Sequence, residues 1–212
     1  MCPQSYAFTK YYTNAERKEA KKNGIELFPP GTYVNAWTED EIWKLFGKQW
    51  PQRYDEYAEQ GLRRWWYICA SPMMPHPNYF RYYQGAPARI TLWQQYMFHV
   101  EGLLYYATQN NWGKINLRRN ENDGDGLLLY WGELWGQDGP VPSIRWEYIR
   151  DGIEDFQYFS QLERLGLSRD EVIKNYINRN TTDLLLYSEK HYDIENVRTD
   201  MGFMLEYMTN AN

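Results

Sequence analysis

The sequence has few cysteines, no long apolar run and no excess of basic residues. Cys2 and Cys69 are the two cysteines among 212 residues, which gives neither a disulfide framework nor a CxxC motif. No apolar run approaches the roughly 18 residues that cross a bilayer. The net charge of −5 argues against a nucleic-acid-binding face. These absences exclude a disulfide-stapled scaffold and favour a globular domain that neither spans a membrane nor binds nucleic acid.

Signals for metal binding and for export are also missing. His76, His99 and His191 are scattered, and no HExxH or Cys/His spacing accompanies them. We therefore expect no metal and no cofactor. The first residues, MCPQSYAFTKYY, lack a basic start followed by an apolar stretch, so we expect no signal peptide. The compartment in which the protein works stays open.

Aromatic residues are what the sequence has in excess. They make up 18% of the chain, with 10 Trp and 20 Tyr. Some of these rings must build the core, but Trp and Tyr each carry a polar group that needs a partner. Rings of this kind also cover the apolar faces of sugars. The excess therefore has two interpretations, a ring-rich core and a carbohydrate-binding surface.

Strand-like and helix-like segments alternate along the chain, which predicts an α/β fold with a parallel sheet and outer helices. The predicted strands are 5–9, 32–37, 64–70, 102–108 and 126–132, and we expect 64–70 and 102–108 to be buried on both faces. The predicted helices are 13–24, 38–47, 51–61, 87–100, the stretch from 139 to about 165, 168–180 and parts of the tail. A closed eight-stranded barrel needs about 250 residues. We therefore expect a single, partial domain: the C-terminal portion of a (β/α)8 TIM-type barrel with three to four core parallel strands.

Several segments, taken in order, are similar to one known family. They are VNAW (34–37), GLRRWWYICASP (61–72), ARITLWQQY (88–96), GLLYYATQNNW (102–112), GDGLLLYWG (124–132) and GPVPSIRWEYIRDGIEDFQYFSQL (139–162). Their order and spacing resemble the catalytic region of glycoside hydrolase family 123, also catalogued as a domain of unknown function. The resemblance covers 34–165 and leaves 166–212 as a helical tail.

The resemblance implies an activity and a partner. Family members are similar to (β/α)8 barrels that remove β-linked N-acetylgalactosamine with retention, so it implies a glycan that contains N-acetylhexosamine as the partner. It also implies substrate assistance, an exception to the two-carboxylate scheme. The acetamido oxygen of the sugar attacks the anomeric carbon, one carboxylate steadies the acetamido nitrogen, and a neighbouring acid protonates the leaving oxygen. Full-length relatives are expected to be secreted or periplasmic.

The family's adjacent Asp-Glu pair lies before the segment that begins at VNAW, so we expect this chain to lack it and to be inactive alone. The weak candidates are Asp40 and Glu41, which follow the predicted strand at 32–37. Thr38 and Glu41 also form a Thr-x-x-Glu capping box, which explains the same acids structurally. Ser168 and Glu171 predict a second capping box.

Barrel enzymes place their sites at the carboxyl ends of strands. This rule selects six candidate substrate-binding residues: Trp37, Tyr67, Tyr106, Asn110, Asn111 and Trp112. Which of Gln109, Asn110 and Asn111 contacts the sugar stays open. ENDGDG (121–126) resembles the start of a calcium loop, but its twelfth position is Gly132, which favours a tight turn. The alternative function is a non-catalytic carbohydrate-binding module, and an open barrel edge would favour self-association.

The segment 139–158 holds two adjacent acids, Glu154 and Asp155, inside a predicted helix that opens at Pro142-Ser143. They lie far from any strand end, which makes them structural. Gly152 predicts a close backbone approach, and Arg150 can pair with Glu154 four residues on. The apolar stripe that we expect to face the sheet is Ile144, Tyr148, Ile149, Ile153, Phe156 and Phe159.

Overall fold

Short strands and longer helices alternate along the described chain. The structure is a computed structural model that describes residues 5–9, 22, 33–34, 63–70, 72–110 and 124–211. The strands are β1 (Ser5–Thr9), β2 (Tyr33–Val34), β3 (Arg63–Ile68), β4 (Gly102–Tyr105), β5 (Leu129–Trp131) and β6 (Pro140–Pro142). The α-helices are α1 (Gly85–Met97), α2 (Ile144–Arg164), α3 (Arg169–Asn175) and α4 (His191–Asn210), and Gly132–Trp135 and Ile177–Arg179 form 3₁₀ turns. Mixed α/β content confirms the predicted class.

The main sheet has the strand order β2-β1-β3-β4. β3 and β4 are parallel, with Trp65 opposite Gly102 and Tyr67 opposite Leu104, and α1 forms the crossover between them. β1 runs antiparallel to both β2 and β3. The prediction of a wholly parallel sheet is therefore wrong for β1. Either strand direction satisfies the backbone hydrogen bonds, and a five-residue apolar pattern does not encode which one is used.

The two parallel strands are buried on one face, and the expectation of burial on both faces is wrong. Trp66 and Ile68 are buried, whereas Trp65, which precedes them and points to the other face, is exposed. Leu104 of β4 is likewise 43% exposed. Successive side chains of a strand point to opposite faces. The sequence of these strands is apolar throughout, yet the described helices cover only one of their two faces.

The apolar run 126–132 forms a small hairpin and not a core strand of the main sheet. β5 pairs antiparallel with β6 in a separate two-stranded sheet, with Tyr130 opposite Val141. The connection turns at Gly136 and Gly139, whose φ angles are 67° and 84°. Positive φ favours glycine, so these two residues permit the reversal. The sequence prediction missed the hairpin because the partner strand contains two prolines and carries no apolar pattern of its own.

Helix α2 begins where the sequence predicts. The Ser143 side chain caps it by accepting a hydrogen bond from the Trp146 backbone amide. Phe159 is fully buried, and Tyr148, Ile149 and Phe156 pack against core residues. Ile144 and Ile153 are exposed, so the predicted stripe is wrong for these two.

The buried face of α2 is instead centred on Arg145, Gly152, Asp155, Phe159 and Leu162. Ile144 belongs to the open first turn of the helix. Ile153 is turned about 100° around the helix from the buried Gly152, and its side chain is exposed. Two polar residues, Arg145 and Asp155, lie on the buried face instead.

The principal core joins the four described α-helices, and α3 contributes Val172. Residues 86 to 96 of α1 are buried without interruption, and they pack against α2 and α4. From α4 the core receives Ile194, Val197 and Met201. Helices α3 and α4 lie in the segment 166–212. The capping box is confirmed, since Ser168 and Glu171 bond reciprocally at the start of α3. The predicted helix 87–100 is confirmed as α1, two residues earlier at its start.

Several predictions lie outside the described residues. These are the helices 38–47 and 51–61, the helix 13–24 apart from helical Lys22, and the residues Trp37, Thr38, Asp40, Glu41, Asn111 and Trp112. Within the described ranges, no helix combines the length and apolar character that crossing a membrane would demand.

Candidate functional site

The carboxyl ends of β3 and β4 meet a tight turn that comes from later in the chain. The backbone amide of Asn110 donates to the Gly126 carbonyl at 2.6 Å, and the Leu128 amide donates to the Thr108 carbonyl at 3.0 Å. Gln109 forms an isolated bridge with Leu127. The turn itself closes through the Leu127 amide and the Gly124 carbonyl at 3.2 Å. These bonds place Asp125 beside the end of the parallel strands.

Asp125 is a half-buried carboxylate at this edge. Burial raises its pKa above the ordinary value of 3.8, while the Tyr105 hydroxyl, the Gly126 amide and the charge of Arg145 act in the opposite direction. The Tyr105 hydroxyl also accepts a hydrogen bond from the Gly126 amide at 2.9 Å. The site therefore holds an acid that is partly removed from water, and its Oδ1 is buried without a hydrogen-bond partner among the described residues.

Tyr67, at the end of β3, lies next to this acid. Burial raises its pKa to about 12, and a hydrogen bond with Cys69 and the charges of Asp125 and Tyr106 add to the effect. The phenol of Tyr67 therefore stays protonated at neutral pH and is available as a hydrogen-bond donor. Tyr106, at the end of β4, is 54% exposed and presents its ring to solvent. We call Tyr67, Tyr105, Tyr106 and Asp125 the tyrosine–aspartate cluster.

Arg145, in the first turn of α2, fixes the turn that carries Asp125. Its Nη1 donates to the carbonyls of Tyr79 at 2.7 Å and Gly124 at 2.6 Å. Its Nη2 donates to the Leu127 carbonyl and to the Tyr130 hydroxyl, the latter at 3.3 Å. A planar guanidinium with three of these four bonds directed at backbone carbonyls acts as a rigid brace. The position of Asp125 is therefore set before any ligand arrives.

The tight turn predicted for ENDGDG (121–126) is confirmed for its described part, residues 124–126. Gly124 and Gly126 have φ angles of 81° and 71°, which favour glycine. Glu121 and Asp123 lie outside the described residues. Across the described ranges, His, Cys, Asp and Glu side chains form no group of three that would hold a metal ion.

The structure brings together three of the six predicted sugar-binding residues. Tyr67, Tyr106 and Asn110 lie at the same edge, and the half-buried Asn110 packs its Cβ against Gly126. Trp37, Asn111 and Trp112 lie outside the described residues and stay predictions, as do Asp40 and Glu41 as candidate acids.

Sequence reasoning missed Asp125 and Tyr105. The strand-end rule excluded Asp125, because it precedes an apolar run in the sequence. The backbone bonds that bring its turn to the segment after β4, from Asn110 to Gly126 and from Leu128 to Thr108, are long-range and have no local signature. The available signal was the acid flanked by two glycines, Gly-Asp-Gly, which is typical of a carboxylate held on a constrained turn.

Glu154 and Asp155 do not belong to the tyrosine–aspartate cluster. Their contacts support the interpretation that these acids are structural. Asp155 is fully buried and bonds Arg89 on α1, while Glu154 pairs with Arg198 on α4 at 2.6 Å. Arg150 also reaches Glu154, at 3.7 Å, as the four-residue spacing predicts. These acids hold helices together and are not a solvated helix face.

Comparison with known protein families identifies the family of the chain. The model of the family described as glycoside hydrolase 123, catalytic domain, matches residues 33–162, more than half of the chain. The chain belongs to that family of glycoside hydrolase catalytic domains. A search of curated proteins found no match.

Proposed function

We propose that the tyrosine–aspartate cluster, together with Asn110, binds one N-acetylhexosamine residue of a glycan. The observation that carries the proposal is the convergence of phenol, amide and carboxylate groups at the carboxyl ends of the parallel strands β3 and β4. This is the edge at which barrel enzymes of the (β/α)8 type place their substrate loops. We further propose that these two strands belong to such a barrel.

The groups in the cluster suit the two chemical faces of a sugar. The exposed ring of Tyr106 can cover the apolar C–H face of a pyranose. The protonated phenol of Tyr67 donates a hydrogen bond, and the Asp125 carboxylate accepts hydrogen bonds from hydroxyl or amide groups. The brace formed by Arg145 holds these groups in place, which reduces the entropy lost on binding.

We propose that the site derives from one that hydrolyses β-N-acetylgalactosaminides with assistance from the acetamido group, and that this chain alone is inactive unless one of its own acids replaces the family's Asp-Glu pair. Such a reaction needs a proton donor within hydrogen-bond reach of the leaving oxygen. The sequence offers the adjacent acids Asp40 and Glu41 for this step. The structure adds Asp125, whose raised pKa suits an acid that is shielded from water.

The test combines turnover and binding by the purified chain. An aryl N-acetyl-β-galactosaminide reports hydrolysis, and calorimetry with N-acetylgalactosamine reports binding. We expect Asp125→Asn and Tyr106→Ala to weaken binding by about tenfold or more, the effect of losing one good polar or ring contact. Asp138→Asn, which removes an exposed acid, is the matched control and should leave binding unchanged.

Each outcome decides between the candidate functions. Turnover that is lost in Asp40→Asn or Glu41→Gln would assign those acids to the chemistry. Binding without turnover would support the alternative, a non-catalytic carbohydrate-binding module. A cooperatively folded chain that gives neither heat nor turnover would overturn the proposal.

A further inference from the structure

A cleft of about 250 Å³ opens where helices α1 and α2 begin. Its lining includes Gln84, the N-cap of α1, and Ala88 of α1, together with Arg145 and Tyr148 of α2. The buried residues Tyr79 and Arg145 separate it from the tyrosine–aspartate cluster. The cleft is therefore a concavity of its own, and its ligand is a separate question from the sugar.

Arg145 carries a buried positive charge along this cleft. It is 5% exposed, and the N–H groups of Nη1 and Nη2 bond three backbone carbonyls and the Tyr130 hydroxyl, all of which are neutral. Asp125 acts on this charge from the far side of the partition, without a bond. A guanidinium has five N–H donors, and the fifth, at Nε, has no acceptor among the described residues. Buried charges are normally paired, so this open N–H favours an anion in the cleft.

Two further features of the lining favour an anion. Tyr83 is 9% exposed, and its hydroxyl has no hydrogen-bond partner among the described residues. Burial and the neighbouring Tyr82 raise its pKa, so the hydroxyl keeps its proton at neutral pH and is a donor. Gln84 makes no side-chain cap bond, and the first turn of α1 holds no acid, so the positive end of that helix is not neutralised locally. The described residues that line the cleft include no carboxylate.

Aromatic rings form the rest of the lining. Phe80, Tyr130 and Tyr148 supply apolar walls. The Tyr148 ring lies so close to Gly85 that a Cβ there would not fit, which holds the starts of the two helices together. Ligand sites combine apolar walls with a few fixed polar groups, and their volumes run from about 300 to 1,000 Å³. This cleft lies just below that range, so its size suits a ligand of about one ring.

The cleft is preformed on both sides. The Asn78 side chain, which lines it, donates to the carbonyls of Cys69 at 2.9 Å and Pro72 at 2.8 Å and accepts from the Tyr79 amide at 2.6 Å. These bonds fix the loop after β3, and the bonds of Arg145 fix the facing segment. Little ordering entropy therefore opposes binding.

We propose that this cleft binds a small organic carboxylate, an anion with one oxyanion group and an apolar body of about one ring. The carboxylate accepts hydrogen bonds from Nε of Arg145 and from the Tyr83 hydroxyl, and it faces the start of α1. The apolar body lies against the rings of Tyr130 and Tyr148. The assignment does not rest on the proposed function, because the partition separates this ligand from the sugar.

The test compares three probes by calorimetry on the full chain at pH 7. Benzoate is the candidate ligand, benzamide is its neutral isostere, and inorganic phosphate is an oxyanion without an apolar body. We expect benzoate to bind about tenfold or more tightly than benzamide, because only benzoate makes charge-assisted bonds with the guanidinium. Phosphate should bind more weakly than benzoate, since it leaves the ring walls uncovered.

Tyr83→Phe should weaken benzoate binding about three- to tenfold, the effect of losing one hydrogen bond. Tyr176→Phe is the matched control, because Tyr176 is 7% exposed and belongs to the principal core, away from the cleft. Both variants remove one hydroxyl from a buried ring, so a shared loss of benzoate binding would indicate a general effect on the fold and count against the cleft.

Gln84→Glu places a carboxylate of the chain itself in the cleft. It should weaken benzoate binding about tenfold or more through like-charge repulsion. It should also raise the melting temperature of the ligand-free chain by about 1–3 °C, because an acid suits the start of a helix. Gln157→Glu adds the same charge at an exposed position within α2, away from the cleft, and should change neither quantity.

The remaining outcomes each bear on one part of the proposal. Equal affinity for benzoate and benzamide would refute the anion, and phosphate binding as tight as that of benzoate would refute the apolar body. Benzoate binding that neither Tyr83→Phe nor Gln84→Glu weakens would refute the location, as would the absence of any benzoate binding. Tyr106→Ala, which alters the cluster, should leave benzoate binding unchanged, so failure of the sugar site and failure of the cleft give different results.

Discussion

Arg89 and Asp155 form a fully buried ion pair that joins α1 to α2 at two points. Nε of Arg89 donates to Oδ2 of Asp155 and Nη2 donates to Oδ1, each at 2.9 Å. The indole Nε1 of Trp93 adds a third bond at 2.9 Å, and Nη1 of Arg198 on α4 adds a fourth at 3.1 Å. One carboxylate therefore holds residues of three helices.

Replacing Asp155 should destabilise the protein strongly. Asp155→Ala removes two bonds of the buried Arg89 guanidinium, which keeps only the half-exposed Glu195 as a carboxylate partner among the described residues. It also leaves the Trp93 indole without its acceptor. Breaking one side of a buried pair costs about 3–5 kcal/mol. Glu154→Ala is the neighbouring control, since its pair with Arg198 is partly exposed and should cost about 1 kcal/mol or less. Urea unfolding measures both. Equal losses for the two variants would contradict the role assigned to the buried pair.

Gly152 should resist replacement by alanine, although alanine is the better helix former. A Cβ at Gly152 would lie 3.2 Å from the Arg89 Cα and 3.3 Å from the Arg89 carbonyl oxygen. These are backbone atoms of a buried helix and have no room to move, so we expect Gly152→Ala to cost about 1–3 kcal/mol.

The matched control is Gly202→Ala on α4, where the nearest atom is the Tyr158 Cε1 at 3.8 Å. At Gly202 the higher helix propensity of alanine should dominate and raise the free energy of unfolding by about 1 kcal/mol. Thermal unfolding of the two variants gives the comparison. A gain in stability at both positions would show that α1 and α2 are not in close contact at Gly152.

Asp125 should make stability fall as pH rises. Burial raises its folded pKa above 3.8, so the folded state disfavours the charged carboxylate. The stability that the neutral form contributes is present below that ordinary value and is lost as pH rises through the folded pKa.

The stability of Asp125→Asn relative to the unmodified chain should therefore increase from about pH 4 to about pH 7. Melting temperatures across this range, with exposed Asp138→Asn as the control for removing one charge, measure the difference. A difference that shrinks with pH would mean that the folded state favours the ionised form.

Tyr67 should contribute to unfolding in alkali. Its pKa rises from 10.0 to about 12 in the folded state. The unfolded chain loses the phenolic proton first, so the stability is intact below 10 and falls as pH rises through about 12. Phenolate absorbance in the near ultraviolet, followed as pH rises, should show one fewer tyrosine with a raised pKa in Tyr67→Phe than in the unmodified chain. The exposed Tyr207→Phe serves as the control, and an identical late titration in Tyr67→Phe would refute the assignment.

The sequence predicts α2 well because local rules set its features. The Ser143 cap and the close approach at Gly152 follow from side-chain chemistry within a few residues. The burial of Asp155 does not follow, because its partners Arg89 and Arg198 lie 66 and 43 residues away. Periodicity instead assigned Ile153 to the core.

The residues of the candidate site also divide into those that a local sequence rule selects and one that depends on a long-range contact. The strand-end rule selected Tyr67, near the end of β3, and Tyr106 and Asn110, after β4, as candidates. Asp125 reaches the site through the pairing of Asn110 with Gly126, a long-range contact that local sequence does not show. The exposure of Leu104 was missed because an apolar run does not say which face a neighbouring layer covers.

Helix α4 has a practical consequence for work with shorter versions of the protein. It lies beyond residue 162, where the family match ends, yet Ile194, Val197 and Met201 are core residues and Arg198 bonds Asp155. A chain cut at the family boundary would expose an apolar strip on α1 and α2 and would remove one of the two cations that bond Asp155. Expression of the matched segment alone should therefore give an aggregation-prone product, and the useful boundary lies after α4.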